Sequence, residues 1–472
     1  VDPAHLTFNG IDAETGSYLT PPSSADLIAD LVVSRSQDRA LLSEQRGRHM
    51  RSTETTLGPR EGVDPKDLSQ TGWAVVFAAD EDPDVVAALR PLIDHRRAQV
   101  GDERRHRVLT GELGYEGESK LRYLQKVGAS PTGAADPDRM PYYILLVGSP
   151  TAIPFDLQYH LDVQYAVGRL DLDSARDYAA YAGSVVAAES RTRAGPPRMA
   201  AFGTRHDPAT ELSATKLIEP VVEALRTSHP EVTIDRSIGD GATKARLDGL
   251  IGGSDTPDLL FAATHGLGHR PGSPGQRERQ GALVCQDWPG PGHPVTAEGV
   301  FSATDVRASG DLLGLIAFSF ACFGAGTPRF DDFARTDQDE HVELAPEPFV
   351  SGLAKRILGH PDGGALALVG HVDRTWSYSF LWGGQTAFTA VFEDAFRRLL
   401  DGHPVGSALE GFSTRHAELA VDLEAMLEDV GDRRVDNDEL AGLWTARNDA
   451  RNLVLLGDPA VRLGASSTRT RR

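Results

Sequence analysis

Only two cysteines, Cys285 and Cys322, occur among the 472 residues. So few exclude a disulfide framework, and neither has zinc-site spacing, so a reducing, cytoplasmic setting is expected. A run of about eighteen apolar residues is also missing, which excludes a membrane-spanning helix and any membrane partner built on one. The first residues lack the charged-then-apolar pattern of a secretory leader. Lysine is scarce, basic charge comes mainly from arginine, and the formal net charge is −20. Phosphate binding needs a concentrated basic face, so nucleic acid is excluded as the principal ligand and a basic peptide or partner fits better. What is present is ordinary for a globular chain, with 40% hydrophobic and 25% charged residues.

The length predicts more than one folding unit. Residues 1–70 are polar, with turn signals at Asn9-Gly10, Pro21-Pro22 and Gly58-Pro59 and a helical stretch around Asp26 to Val33, and read as an N-terminal extension. A first α/β unit spans 71–195. It opens on the apolar run Trp73 to Phe77, continues with Val85, Val86, Leu89, Leu92 and Ile93 at helical spacing, and has further strand patterns at Tyr142–Val147 and Val163–Leu170. A second unit spans 196–464, with strand patterns at Met199–Phe202, Val232–Ile234, Leu259–Ala263, Leu313–Phe320 and Ala365–Val369 separated by helical ones. Residues 465–472 form a short basic tail. Alternating strands and helices predict an α/β fold with mostly parallel sheets covered by helices on both faces. In such sheets function gathers at the carboxyl ends of strands.

Two strand ends carry chemistry. Leu259 to Ala263 runs into Thr264-His265-Gly266, and Leu315 to Ala321 runs into Cys322-Phe323-Gly324. If both strands share one parallel sheet, His265 and Cys322 emerge at the same edge although 57 positions separate them. A thiol is weakly ionised at neutral pH, so an imidazole that takes its proton makes a nucleophile of it and can later protonate a leaving amine. Gly266 allows close backbone approach, and its N–H with that of Cys322 could form an oxyanion hole. A lone buried Cys or a lone His-Gly is weak evidence. The pair, each closing a strand, is the signal.

Thr264-His265-Gly266 and Ala321-Cys322 resemble the catalytic motifs of caspase-like cysteine peptidases, which include caspases, gingipains and bacterial CHAT proteases. Tyr143 to Gly148, Ile153-Pro154 and Tyr165 to Arg169 resemble the first gingipain subdomain. Gly364 to Val369 with Trp376-Ser377 resembles the strand and Trp of the gingipain primary pocket, and Leu456 to Arg462 resembles the closing segment. The resemblance covers about residues 71 to 464. It implies a caspase-like fold of two α/β subdomains (71–195 non-catalytic, 196–464 catalytic) plus the extension. It also implies peptide-bond hydrolysis through a thioester, with Cys322 as nucleophile, His265 as acid and base, and Gly266 and Cys322 N–H groups holding the oxyanion. Gingipains cleave after Arg or Lys, which makes Asp162 a candidate pocket floor, Asp373 a second acidic candidate and Trp376 a stacking wall for a flat guanidinium. Asp162 reads equally as a cap, and Trp376 equally as core. No third residue orienting His265 can be named.

The stretch Phe330 to Pro348 is acidic, with little apolar content, and reads as an exposed loop beside the nucleophile. It suits attraction of basic substrates, or processing at Arg329 or Arg335. No cofactor is required for this chemistry. The carboxylates leave room for a structural calcium ion but lack the spacing of a recognised loop. His265 and His269 lie four apart, a metal pattern on a helix, but Gly266 and Gly268 argue for a loop. Cys285 reads as structural, and as the fallback nucleophile should Cys322 be buried. The expected partners are a protein or peptide substrate and an activating protein. The alternative from another class is a caspase-fold scaffold or adaptor with little turnover.

Overall fold

The computed structural model describes residues 5–6, 10–19, 23–36, 58–193, 195–335, 341–382, 386–429 and 436–464. The basic tail from residue 465, and Asp337, Asp339 and Glu340 of the acidic stretch, lie outside them. Among the described residues no helix is long and apolar enough to cross a membrane.

Ten strands form one sheet. In chain order they are β1 (Trp73–Phe77), β2 (His106–Leu109), β3 (Tyr143–Val147), β4 (Ala166–Leu170), β5 (Arg198–Gly203), β6 (Thr233–Ile238), β7 (Leu259–Ala263), β8 (Ile316–Phe320), β9 (Ala367–His371) and β10 (Leu453–Gly457). Their order across the sheet is β2-β1-β3-β4-β10-β9-β8-β7-β5-β6. Every neighbouring pair is parallel except β9 and β10. The half containing β1 to β4 and β10 therefore runs opposite to the half containing β5 to β9. The units read from the sequence share this sheet because β10, from the end of the chain, inserts between β4 and β9.

β1, β3, β4, β7, β8 and β9 are buried at every position, as continuous apolar runs covered on both faces require. Over β7 and β8 the cover is aromatic. Phe261 and Phe318 pack on Phe392 and Phe396 of the helix Ala390–Leu400, with ring centroids 4.8–6.3 Å apart. In the extension, α1 (Ala25–Ser36) lays Ile28, Ala29 and Val32 against Leu440, Leu443 and Ala446 of α3 (Asn437–Asn452), and Leu419 and Leu423 of α2 (Glu410–Asp429) complete this cluster.

The segment Leu456 to Arg462 closes the sheet through a buried ion pair. Asp458 accepts hydrogen bonds from Trp73 Nε1 at 2.9 Å and Arg96 Nε at 2.7 Å, and Arg96 also grips Glu189. Asp458→Ala would leave Arg96 Nε and Trp73 Nε1 buried without their acceptor, while Glu189 keeps the guanidinium charge paired. A buried donor left unsatisfied costs about 1–3 kcal/mol. The expected result is a correspondingly lower urea midpoint; an unchanged midpoint would show that this pair does not hold the closing segment.

Candidate active site

Strand register places His265 and Cys322 at neighbouring strand ends. Ala263 of β7 pairs with Phe320 of β8, and the Thr264 N–H donates to the Phe320 carbonyl at 3.2 Å. Two residues further on each strand stand His265 and Cys322. Gly266 packs directly on the backbone of Cys322, where an added Cβ would lie 1.8 Å from the Cys322 carbonyl oxygen. Only glycine fits there.

The turns holding the thiol are strained. Phe323 (φ +58°) and Asp373 (φ +82°) are the two non-glycine residues with left-handed backbone among the described residues, and they face each other. The Phe323 N–H donates to the Asp373 carbonyl at 2.7 Å. Strain of this kind persists only where its surroundings enforce it, and it concentrates at functional sites. The enforcing contacts come from α3. Asp449 accepts from the Trp376 N–H at 2.8 Å and from the Ser379 hydroxyl. That fixes the loop whose Thr375 N–H donates to Cys322 Sγ at 3.2 Å.

His265 Nε2 lies 2.7 Å from Asp207 Oδ2, and both side chains are buried. Asp207 follows β5 and caps the short helix Pro208–Leu212, where its Oδ1 accepts from the Thr210 N–H at 2.9 Å. Burial works to raise the Asp207 carboxyl, but His265, the Thr210 N–H and the Tyr18 hydroxyl outweigh it and hold it well below the usual carboxylate range. With Nε2 committed to Asp207, Nδ1 is the ring atom left to exchange a proton, and it is buried with no hydrogen-bond partner. Asp207, which holds the His265 ring through this contact, is a residue the sequence did not reveal. The only local signal was Asp207-Pro208 after an apolar strand, which reads first as a helix cap.

Cys322 and His265 are both 0% exposed. Burial pushes the Cys322 thiol up to about 12, opposed in part by the Thr375 N–H and the Arg374 charge, so in this state the thiol is neutral. Cys285 is buried as well, its thiol pushed up by burial and directed at the Leu283 carbonyl at 3.6 Å. It lies in the main hydrophobic core, whereas Cys322 is in the cluster with Phe323 and Trp376.

The remaining candidates divide between two places. Asp373 sits beside Cys322. Its Oδ1 accepts from the Arg374 N–H at 2.7 Å and from Arg374 Nη1 at 3.2 Å, while Oδ2 is buried without a partner. Burial raises its carboxyl to about 7. Arg374 is itself clamped by Asp331 at 2.7 and 2.9 Å. Trp376 is buried against Phe333, with ring centroids 4.6 Å apart, in the cluster that includes Cys322. Asp162 ends the helix Phe155–Asp162 and accepts from the Val167 N–H at 3.1 Å. It faces a cavity of about 580 Å³ lined also by Tyr159, Tyr378 and Arg415, and not by Cys322, His265, Asp373 or Trp376.

The acidic stretch is less open than its composition suggests. Phe330–Arg335 pairs with His341–Glu343, and Asp331 is 1% exposed because it neutralises Arg374. Arg329 is half exposed, bound to Glu343 at 3.0 Å and packed over the Phe330 ring. Arg335 closes its strand. His269 does not join His265 in a metal set: its backbone N–H donates to Gln280, and among the described residues no cluster of three or more His, Cys, Asp or Glu is arranged to hold a metal ion.

No family matches the chain, and no curated protein is significantly similar to it. Solved structures similar in fold include one described as a protease (12% identity, TM-score 0.48, 84% of this chain and 79% of that one). Another is the complex of the pro- and mature domains of Porphyromonas gingivalis RgpB (12% identity, TM-score 0.44, 83% and 79%). A third is the Saccharomyces cerevisiae separase–securin complex (9% identity, TM-score 0.32, 67% of this chain and 16% of that one).

Proposed function

We propose that the chain is a caspase-like cysteine endopeptidase acting through Cys322 and His265. The observation that carries this reading is a thiol and an imidazole at adjacent parallel strand ends, with the imidazole tied to the buried Asp207 carboxylate. In the mechanism, His265 Nδ1 takes the Cys322 proton and Sγ attacks the scissile carbonyl carbon. The oxyanion lies against the N–H groups of Gly266 and Cys322. His265 then gives its proton to the leaving amine, a thioester remains, and water activated by His265 hydrolyses it to acid and free thiol. Asp207 holds the ring and stabilises the imidazolium formed on the way.

A preference for Arg or Lys before the scissile bond rests on two carboxylates, the buried Asp373 next to the thiol and the partly exposed Asp162 lining a separate cavity. Trp376 adds an aromatic face. The test is a fluorogenic peptide panel with Arg, Lys, Asp or Leu at that position, run on wild type, Asp373→Asn and Asp162→Asn. The carboxylate that receives the basic side chain should lose about 10- to 100-fold of the Arg-over-Leu preference when neutralised, the worth of a charge-assisted hydrogen bond. Equal cleavage after Leu and Arg by wild type would sink the basic preference and leave the dyad standing. Processing at Arg329 or Arg335 would appear in the same experiment as new termini absent from Cys322→Ala.

The alternative, a scaffold or adaptor with little turnover, is favoured by the zero exposure of both dyad residues. Absence of cleavage from every peptide, even after the thiol is made accessible, would select it.

A further inference from the structure

A nucleophile with no exposed surface cannot meet an external peptide, so whatever covers it decides whether the site works. Part of the cover is a hairpin from the N-terminal extension. Gly10–Asp12 adds as a parallel edge strand to Gly266–Gly268, the segment that follows His265, with Gly10 opposite Gly266. The return arm pairs back on it, Ile11 opposite Tyr18 and the Leu19 N–H donating to the Gly10 carbonyl at 3.2 Å.

Three contacts reach the dyad from this hairpin. A Cβ added at Gly10 would lie 3.3 Å from Cys322 Sγ. Leu19 packs on the cluster of Cys322, Phe323 and Trp376. The Tyr18 hydroxyl donates at 2.8 Å to Asp207 Oδ2, the oxygen that also meets His265, and the Tyr18 ring stands edge-on to the imidazole. The hairpin thus engages the thiol, the imidazole and the orienting carboxylate together.

It is also held as a unit. The Asp12 carboxylate accepts from the N–H groups of Glu14 and Thr15 at 3.1 and 2.7 Å and from the Thr15 hydroxyl at 2.8 Å, while the Gly16 N–H donates to the Asp12 carbonyl. A turn stabilised by its own side chain keeps its shape when undocked and redocks at little entropic cost. Its pairing to the rest is a three-residue edge, which is the geometry of an added strand and can be replaced by another extended chain. Ile11, buried against Leu267, Val284 and Trp288, is the anchor.

We propose that residues 10–19 are an internal inhibitor seated in the peptide groove along Gly266–Gly268, and that an extended peptide with a small residue facing the thiol takes its place. For its consequence on turnover, though not for the docking itself, this rests on the peptidase reading.

The test is labelling of the full-length chain by iodoacetamide, read at Cys322 and Cys285 by mass spectrometry, alongside peptide hydrolysis. Leu19→Asp puts a charge into the apolar contact and should speed Cys322 labelling roughly 10- to 100-fold. Tyr18→Phe removes one hydrogen bond to a carboxylate and should speed it about 10-fold. A synthetic peptide of residues 9–20, added to Leu19→Asp, should slow it again. Cys285 lies in the core and should stay slow. Faster Cys322 labelling without hydrolysis of any peptide supports the inhibitor and sinks the peptidase. Unchanged Cys322 labelling in both variants overturns the proposal and makes the hairpin a fixed wall, whether or not wild type cleaves peptides. So does labelling that rises equally at Cys285 in both, because that reports general opening. Should Leu19→Asp fail to fold, Tyr18→Phe alone decides.

Discussion

Cys322→Ala is expected to remove peptide hydrolysis, lowering turnover by about 10⁶-fold, the scale seen when a nucleophile acting as part of a unit is deleted. The loss is that large because the other members of the site have no independent route to the product. His265 Nε2 is held by Asp207, and the glycine-lined backbone at Gly266 is fitted to the Cys322 main chain. Without Sγ no thioester forms, and binding plus oxyanion contacts leave only a small residual rate. The substitution deletes one sulfur atom from a packed position, so folding should survive with a modest loss of stability. The clean comparison is made in the Leu19→Asp background, where the basal rate is expected to be higher. Retention of wild-type hydrolysis by Cys322→Ala would remove Cys322 from the mechanism.

The second large effect is expected from Asp207→Asn, a fall in kcat of about 10³- to 10⁴-fold with KM little changed, as for an orienting carboxylate whose loss selects the wrong imidazole tautomer. The geometry gives the reason. Asp207 Oδ2 accepts a hydrogen bond from the His265 Nε2–H, which leaves Nδ1 free to act as a base. An Asn can present an N–H to Nε2 and so shift the proton to Nδ1, where it blocks transfer from the thiol. A second readout separates orientation from mere support. The folded-state pKa of Asp207 is depressed, so its stabilising contribution is fully present above the unfolded-state value of about 3.9 and is lost as pH falls towards the folded-state value. The stability difference between wild type and Asp207→Asn should therefore be constant near neutrality and shrink below about pH 4. A difference that does not vary with pH, together with unchanged kcat, would make Asp207 a helix cap and nothing more.

Much of the fold was legible because a strand buried on both faces carries an apolar run, and the six strands buried at every position all lie where such runs were read. β2 escaped because His106-Arg107-Val108-Leu109 at the sheet edge is half polar. β10 escaped as a strand because Leu453 to Gly457 follows directly on α3 with no turn residue between them to mark a new element. Gly266–Gly268 was read as a loop, since three residues with two glycines carry no strand signal, yet they pair on both sides. Asp331 was read as solvated because composition argues for a stretch as a whole, whereas burial is decided residue by residue by the partner available, here Arg374.

By itself the sequence determined the α/β layering and the placement of His265 and Cys322 at strand ends, because periodicity and strand termination are local properties of a chain. Only the tertiary structure decided that the two strands are neighbours in register, that Asp207 reaches His265 from 58 residues away, and that the hairpin at residues 10–19 lies across both. Those facts depend on which edges and turns meet in space. Residues drawn from separate segments carry no mark of that meeting until the sheet is assembled.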